Sequence, residues 1–475
     1  MTIMSTLTTN GIVCENGDGI QSNDSSDLST STISVDARMP ESVDEFKSFM
    51  YQMQDARRKI VSSIIHEKDV DEHLIEQLKH VYGQLTDEST AEFQREMTVS
   101  GSNKFSVNVK DEVVGLEKDI SYLDNLVFAK RENNLPTLSE ARKHVNLAEI
   151  LSPFHPISPQ KFMEETENCT RFLRLFIHSY DDTGKKPILI TDWDGTMKDY
   201  CSQYATNLQP TYSAIGMANF ASLFTRLTAV LTAGPLRGPG ILDLTSLPID
   251  GPILFSGSWG REWWMSGKRL VHNEDISLEG DAALRRFKEE MEELLSSTEY
   301  SQFGLVGSGV QSKVDRLTLG VQTVFNHVDP ELSENYQDAI RERMHRVDPD
   351  EQILHFDPST ELEVEVVVHN DGTVWNKADG VGMVIEKVGD TLEGPGKVLI
   401  CGDTASDLPM VEFAVNQNPD GAMALFVTMK EELCDKVRQI LPAEDRQCFV
   451  SCPDVIHAAM DNIIKENGLN TTSST

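Results

Sequence analysis

The run Pro187-Ile-Leu-Ile-Thr-Asp192-Trp193-Asp194-Gly195-Thr196 constrains this chain more than any other. An apolar stretch suited to a buried parallel strand ends abruptly in two aspartates spaced by one residue, and a glycine and a threonine follow. Side chains alternate across a strand, so Asp192 and Asp194 point the same way if the strand continues through them. Two such carboxylates repel unless a proton or a cation lies between them. The expected chemistry follows: one carboxylate attacks, the other shuttles a proton, and a hard divalent cation offsets the charge.

Three further segments support that reading. Lys397-Val-Leu-Ile-Cys-Gly402-Asp403-Thr-Ala-Ser-Asp407 is a second apolar strand ending in a glycine and two acids. Leu227-Thr-Ala-Val-Leu-Thr232-Ala-Gly234 is a third, ending in a hydroxyl and a glycine. Lys377, in Trp375-Asn-Lys-Ala-Asp-Gly380, supplies a cation. Taken singly, each has an ordinary explanation. Asp-x-Asp is usually a solvated loop, Gly-Asp a turn, and a strand-closing threonine a backbone partner. The order of the set is harder to explain that way, because ligands gather at the carboxyl ends of parallel strands.

With these segments the chain resembles the haloacid dehalogenase-like superfamily of phosphotransferases. The resemblance implies Asp192 as nucleophile, Asp194 as general acid/base, Thr232 as phosphate-binding hydroxyl with Gly234 in support, and Lys377 as the cation steadying nucleophile and phosphate. It implies magnesium as cofactor, held by Asp192, Asp403 and the backbone carbonyl of Asp194, with Asp407 supporting. A second aspartate at position 194 favours phosphate hydrolysis or mutase chemistry over ion pumping.

The expected architecture is α/β: a doubly wound, Rossmann-like core, an inserted α/β cap of the second type, and an N-terminal helical domain. Residues 1–38 are rich in Ser, Thr, Asn and Asp and are expected to be a disordered tail, as are 468–475. Ser42 and Glu45 have capping-box spacing. Apolar residues then recur at helical intervals: Phe46, Met50 and Met53; Leu74, Leu78, Val81 and Leu85; Leu116, Ile120, Leu123 and Val127. Thr137 and Glu140 suggest another helix start. Residues 42–150 therefore read as a helical bundle, whose stripes are core or a surface for a second copy or a protein partner. A linker and lead-in helix spans 151–184, and the core follows in two parts, 185–275 and 373–467.

The insert at 276–372 is too long for a simple loop. It carries amphipathic helices near 281–296 and 333–345, and strand-like stretches at 302–306, 317–325, 353–356 and 362–368. A cap closing over the site excludes water and reads the leaving group. Its pattern resembles the trehalose-6-phosphate phosphatase family, in the nematode form with a helical N-terminal extension. The family's acid-x-lysine reads Gln311-Ser-Lys313 here, its His-aromatic-Arg is replaced around Gln322, and its strand glutamate matches Glu365, or Glu363 on the same face. Arg261, in Ser256-Gly-Ser-Trp-Gly260-Arg261-Glu262, lies in the family's Gly-rich stretch before the cap. The resemblance implies Gln311, Lys313, Gln322, Glu365 and Arg261 as substrate-binding residues and trehalose 6-phosphate as substrate. Another sugar-phosphate phosphatase or a phosphohexose mutase with the same cap is the alternative, and an interaction protein with a relic core is the third. Trp259, Trp263 and Trp264 offer a sugar platform or hinge packing.

Charge narrows the class further. Lys plus Arg number 42 against 76 Asp plus Glu, a net charge of −34, which disfavours nucleic acid as a partner. An anionic substrate must then be drawn by local cations. The 7 cysteines are scattered, without a zinc pattern, and fit a reducing compartment. No apolar run approaches membrane-spanning length and the N-terminus lacks a basic start before an apolar segment, so the expected location is cytoplasmic.

Overall fold

A computed structural model describes residues 42–86, 93–98, 104–178, 184–296, 299–324, 327–358, 360–368 and 375–470. The tail at 1–38 and residues 471–475 lie outside them. Ser42 caps the first helix, Val43–Ile65: its hydroxyl accepts from Glu45 N at 3.2 Å while the Glu45 carboxylate accepts from Ser42 N at 3.3 Å. Helices Glu72–Thr86 and Lys110–Glu132 follow, separated by the antiparallel hairpin β1 (Gln94–Thr98) and β2 (Lys104–Asn108). Thr137 caps only one turn, Leu138–Ala141.

The apolar stripes of these helices are spent inside the molecule. Phe46, Leu78, Leu116 and Leu123 are 0 % exposed and share one apolar cluster with Phe162 of the lead-in helix and Phe220, Leu399 and Ile456 of the core. Polar contacts cross the same boundary. Gln54 donates to Leu244 O at 2.6 Å, and Arg58 to Leu242 O at 3.0 Å and Asp243 O at 2.6 Å. Asp119 accepts from Thr211 N at 2.7 Å and pairs with Arg57 at 2.6 Å. The helical region is thus fused to the core, not merely joined through the stretch at 151–184. That stretch itself holds the helix Pro159–Ile177, packed on the last helix, Pro453–Asn470.

The catalytic sheet is built from β3 (Ile188–Thr191), β4 (Leu227–Leu231), β5 (Ile253–Gly257), β6 (Glu262–Met265) and β7 (Lys268–Val271). The cap supplies β8 (Val310–Ser312), β9 (Arg316–Gly320), β10 (Leu354–Asp357) and β11 (Glu363–Val368), and the chain returns to the sheet in β12 (Val398–Gly402), β13 (Ala422–Val427) and β14 (Gln447–Val450). The eight-stranded order is β14-β13-β12-β3-β4-β5-β6-β7, parallel from β14 to β5 and antiparallel beyond. Leu189 and Leu399 face helices Thr211–Phe224 and Pro453–Asn470, while Ile188, Ile190 and Ile400 face Lys377–Val388 and Leu408–Gln417. Both faces are covered, which is why these strands read as uninterrupted apolar runs.

The cap is a four-stranded antiparallel sheet, β10-β11-β9-β8, whose apolar face packs on helices Leu278–Leu295 and Pro330–Val347. The strand expected at 302–306 is instead a helical turn, Ser301–Gly304. Phe303 stacks on Tyr336, with ring centroids 3.9 Å apart, and that contact outweighs the local strand preference. Among the described residues no helix is long and apolar enough to cross a membrane.

Candidate active site

Strand register brings the distant motifs together. Thr191 pairs with Val230 on β4 and with Cys401 on β12, so Asp192, Thr232 and Asp403 all emerge at one edge. Lys377 arrives as the first residue of the Lys377–Val388 helix, capped by Asn376. A glycine contact seats that helix, since a Cβ on Gly380 would lie 2.6 Å from Trp259 O and 2.9 Å from Gly260 Cα.

Lys377 Nζ bridges Asp192 Oδ1 at 2.6 Å and Asp407 Oδ1 at 2.5 Å. The other oxygen of Asp407 accepts from the Asp403 and Thr404 amides, each at 3.0 Å, which fixes the turn after β12. Thr196 Oγ1 donates to Asp192 Oδ2 at 3.1 Å, and Tyr200 OH donates to Asp403 Oδ2 at 2.9 Å. Thr232 is buried with its hydroxyl 3.2 Å from Gly234 N, and a Cβ on Gly234 would meet Tyr204 OH at 2.5 Å.

The strand ends at Thr191, so Asp192 and Asp194 do not share a face as the alternation predicts. Asp192 turns to Lys377, while Asp194 turns to the buried Lys198, 3.1 Å from its Oδ1. This separation gives the two acids different surroundings, as their two expected roles require. Asp192, Asp403 and Asp407 each present an oxygen within 4.8 Å of the others. Burial raises the Asp192 and Asp403 carboxyls above the usual range; at Asp403 the neighbours Asp192 and Asp407 add to the rise, whereas at Asp192 the ammonium of Lys377 opposes it. Lys377 is held above its ordinary value, burial being outweighed by its two carboxylate partners. Three carboxylates around one ammonium, two of them reluctant to ionise, suit a hard divalent cation bound through oxygen.

The cap presents a polar row across three strands: Gln311 pairs with Thr318, and Thr318 with Glu365. Lys313 follows β8 in the turn to β9, and its Nζ is 3.2 Å from Glu365 Oε1. Glu365 also accepts from Arg316 and from Thr318 Oγ1, each at 2.7 Å. Lys313 and Arg316 lie over the Trp259 ring, 4.7 and 4.1 Å from its centroid. Val314 N donates to Ser258 Oγ at 3.2 Å, tying this face to the core. Trp259 holds a left-handed φ of 52°, a strained conformation of the kind stored at working sites.

Not every expected substrate residue joins this row. Gln322 is engaged by its own loop, donating to Val328 O at 2.9 Å and accepting from Thr323 N at 2.9 Å and Val328 N at 2.8 Å, so its oxygen is fully used and one of its two N–H groups is taken. Arg261 makes a two-pronged contact with Asp275, both arms at 2.8 Å, and stacks on Trp375, so its guanidinium is engaged at the edge of the core. Trp263 is buried in the core and Trp264 bonds Asp250, which leaves Trp259 as the one of the three beneath the cap cations. Arg316, Thr318, Thr196, Tyr200 and Lys198 escaped the sequence reading. Only Thr196 carried a signal there, as the hydroxyl two places after Asp194.

Comparison with known proteins places the chain in a family. Residues 189–456 match the family model described as trehalose-6-phosphate phosphatase, C-terminal, and residues 42–140 match its N-terminal helical bundle domain. A trehalose-phosphatase of Brugia malayi is 59 % identical over 433 residues, covering 91 % of this chain and 88 % of that protein. One of Caenorhabditis elegans is 48 % identical over 427 residues, covering 90 % and 96 %. The solved C-terminal domain of C. albicans trehalose-6-phosphate phosphatase is similar over 62 % of this chain and 97 % of its own at 13 % identity, with a TM-score of 0.40.

Proposed function

The chain belongs to the trehalose-6-phosphate phosphatase family, and from that premise we propose that this phosphatase hydrolyses trehalose 6-phosphate to trehalose and phosphate through an aspartyl-phosphate, with magnesium. The observation that carries the reading is the meeting of Asp192, Lys377, Asp403 and Asp407 at one strand edge.

In this reading Asp192 attacks phosphorus in line and the bond from phosphorus to the sugar oxygen breaks. Asp194 delivers a proton to that oxygen. It then takes a proton from the water that attacks the aspartyl-phosphate, releasing phosphate and restoring Asp192. Lys377 and the Thr232 hydroxyl hold the phosphoryl oxygens while charge moves across them. Asp192, Asp403 and the carbonyl of Asp194 would hold magnesium, with Asp407 ordering the turn; when bound, the ion offsets phosphoryl charge. The polar row of Gln311, Lys313, Thr318 and Glu365 reads the sugar. Gln311 is 5 % exposed, and among the described residues its amide makes no hydrogen bond, which suits a hydroxyl partner brought by substrate.

Phosphate release from trehalose 6-phosphate, glucose 6-phosphate and sucrose 6-phosphate, with and without magnesium, tests the proposal. Strong preference for the first, dependent on magnesium, is expected. Comparable release from all three would remove the substrate assignment, and magnesium-independent turnover would remove the cofactor.

A further inference from the structure

Lys198 is a charged residue with 3 % exposure, placed where no sequence pattern asks for a lysine. Its Nζ lies 3.1 Å from Asp194 Oδ1 and donates to Asn207 O at 2.6 Å. The turn between the two residues is closed by Gly195 N donating to Lys198 O at 2.8 Å. Asp194 Oδ1 is buried and, among the described residues, accepts no aligned hydrogen bond, so its place is set by the charge of the Lys198 ammonium beside it.

The segment after Lys198 is held from two sides. On the N-terminal helix Lys110–Glu132, Lys118 pairs with Asp199 at 2.8 Å, Asp111 accepts from Ser202 N at 2.9 Å and Ser202 Oγ at 3.0 Å, and Glu112 accepts from Thr206 Oγ1 at 2.7 Å. On the cap, Gly307 O accepts from Tyr204 N at 2.8 Å and Gly307 N donates to Ser202 O at 3.1 Å. Helix, cap and acid/base therefore meet in one strap, residues 198–207.

We infer that Lys198 is a positioning residue for the Asp194 carboxylate, and that the N-terminal helix keeps it in place through this strap. The inference rests on the assignment of Asp194 as acid/base. A carboxylate that must reach a leaving oxygen loses rate steeply when it is displaced. Without Lys198 it faces Asp192 and its acidic neighbours with no cation to hold its angle.

Rapid-quench measurement of phosphoenzyme formation in the full chain, from trehalose 6-phosphate and from p-nitrophenyl phosphate, tests this. The nitrophenolate leaves without a proton, so only the sugar substrate needs Asp194 in this step. Lys198→Met should slow formation from trehalose 6-phosphate by about 100-fold and from p-nitrophenyl phosphate by less than about twofold, with Lys198→Arg recovering part of the loss. Asp111→Ala, outside the pocket, should show the same selectivity with a loss of about fivefold, and it carries the test alone if Lys198→Met does not fold. Equal losses on both substrates, or none on either, would overturn the inference, provided Asp194→Asn is selective. An Asp194→Asn variant without selectivity would instead overturn the role given to Asp194.

Discussion

In the core, one ammonium, Lys377, lies among Asp192, Asp407 and the nearby Asp403; in the cap, two cations, Lys313 and Arg316, converge on Glu365, with Asp315 also bound to Arg316. Both clusters are largely buried and both contain a buried lysine paired with carboxylate. They differ in balance. The core is short of positive charge, and burial with crowding raises its carboxyls. In the cap, burial alone would raise Glu365 too, but Lys313 and Arg316 outweigh it and hold the carboxyl at about 2. A deficit of positive charge suits a bound cation. A balanced cluster suits a neutral partner whose hydroxyls exchange hydrogen bonds with groups already held in position.

The largest effect should separate the two clusters by kinetics. Asp192→Asn removes the attacking oxygen and should lower kcat by at least about 10³-fold, with no acid-stable phosphoenzyme trapped on quenching. Glu365→Gln should act on KM for trehalose 6-phosphate, raising it about tenfold, while p-nitrophenyl phosphate turnover stays near wild type. Loss of turnover on both substrates in Glu365→Gln would erase the distinction.

Stability should separate them with opposite sign. Glu365→Gln leaves the buried Lys313 without its carboxylate, while Arg316 keeps Asp315, and should cost about 3 kcal/mol in urea unfolding. Asp403→Asn, in metal-free protein, relieves crowding and should be neutral or stabilising by about 1 kcal/mol. A cost for Asp403→Asn equal to that of Glu365→Gln would break the comparison.

Proton linkage carries the same contrast at a somewhat smaller scale. Glu365 is lowered from 4.5 to about 2, so its contribution is present above 4.5 and is lost as pH falls toward 2, on the order of 2 kcal/mol. Asp403 is raised above 3.8, so metal-free protein is favoured below that value and loses stability as pH rises through the elevated one. Unfolding followed against pH in chelator should show both limbs. Glu365→Gln should shrink the acid limb alone, to which the lowered Asp348, Asp390 and Asp454 also contribute, and Asp403→Asn should shrink the other, which Asp192 shares.

How far these clusters were legible in the sequence follows from how each is made. Asp192, Thr232 and Asp403 close apolar runs, and a parallel sheet aligns such ends whatever separates them in sequence. Lys313 and Glu365 were found through resemblance, because a strand with alternating charge looks the same on a solvated face. Gln322 is the converse case: its residue type suits a sugar, but only coordinates reveal the loop contacts its amide makes. Lys198 was invisible, since lysine is rarely buried and its partner is fixed by a turn. The helical stripes announced burial without naming the surface that buries them, so the fusion of residues 42–150 to the core could not be read.

Thr318 gives the finest cut through the cap. Its hydroxyl is 0 % exposed and donates to Glu365 Oε1 at 2.7 Å, between Gln311 and Glu365 in the cross-strand row. Thr318→Val keeps the β-branched shape that the strand prefers and deletes one donor. Glu365 retains Lys313 and Arg316, so the carboxylate is not orphaned and the cost in stability should be about 1 kcal/mol. If the row reads sugar hydroxyls through a carboxylate whose oxygens are held in place, KM for trehalose 6-phosphate should rise about threefold with kcat unchanged. Loss of stability with KM unmoved would make the cluster a cap staple and transfer the sugar-reading role to Gln311, whose amide has no partner among the described residues to give up.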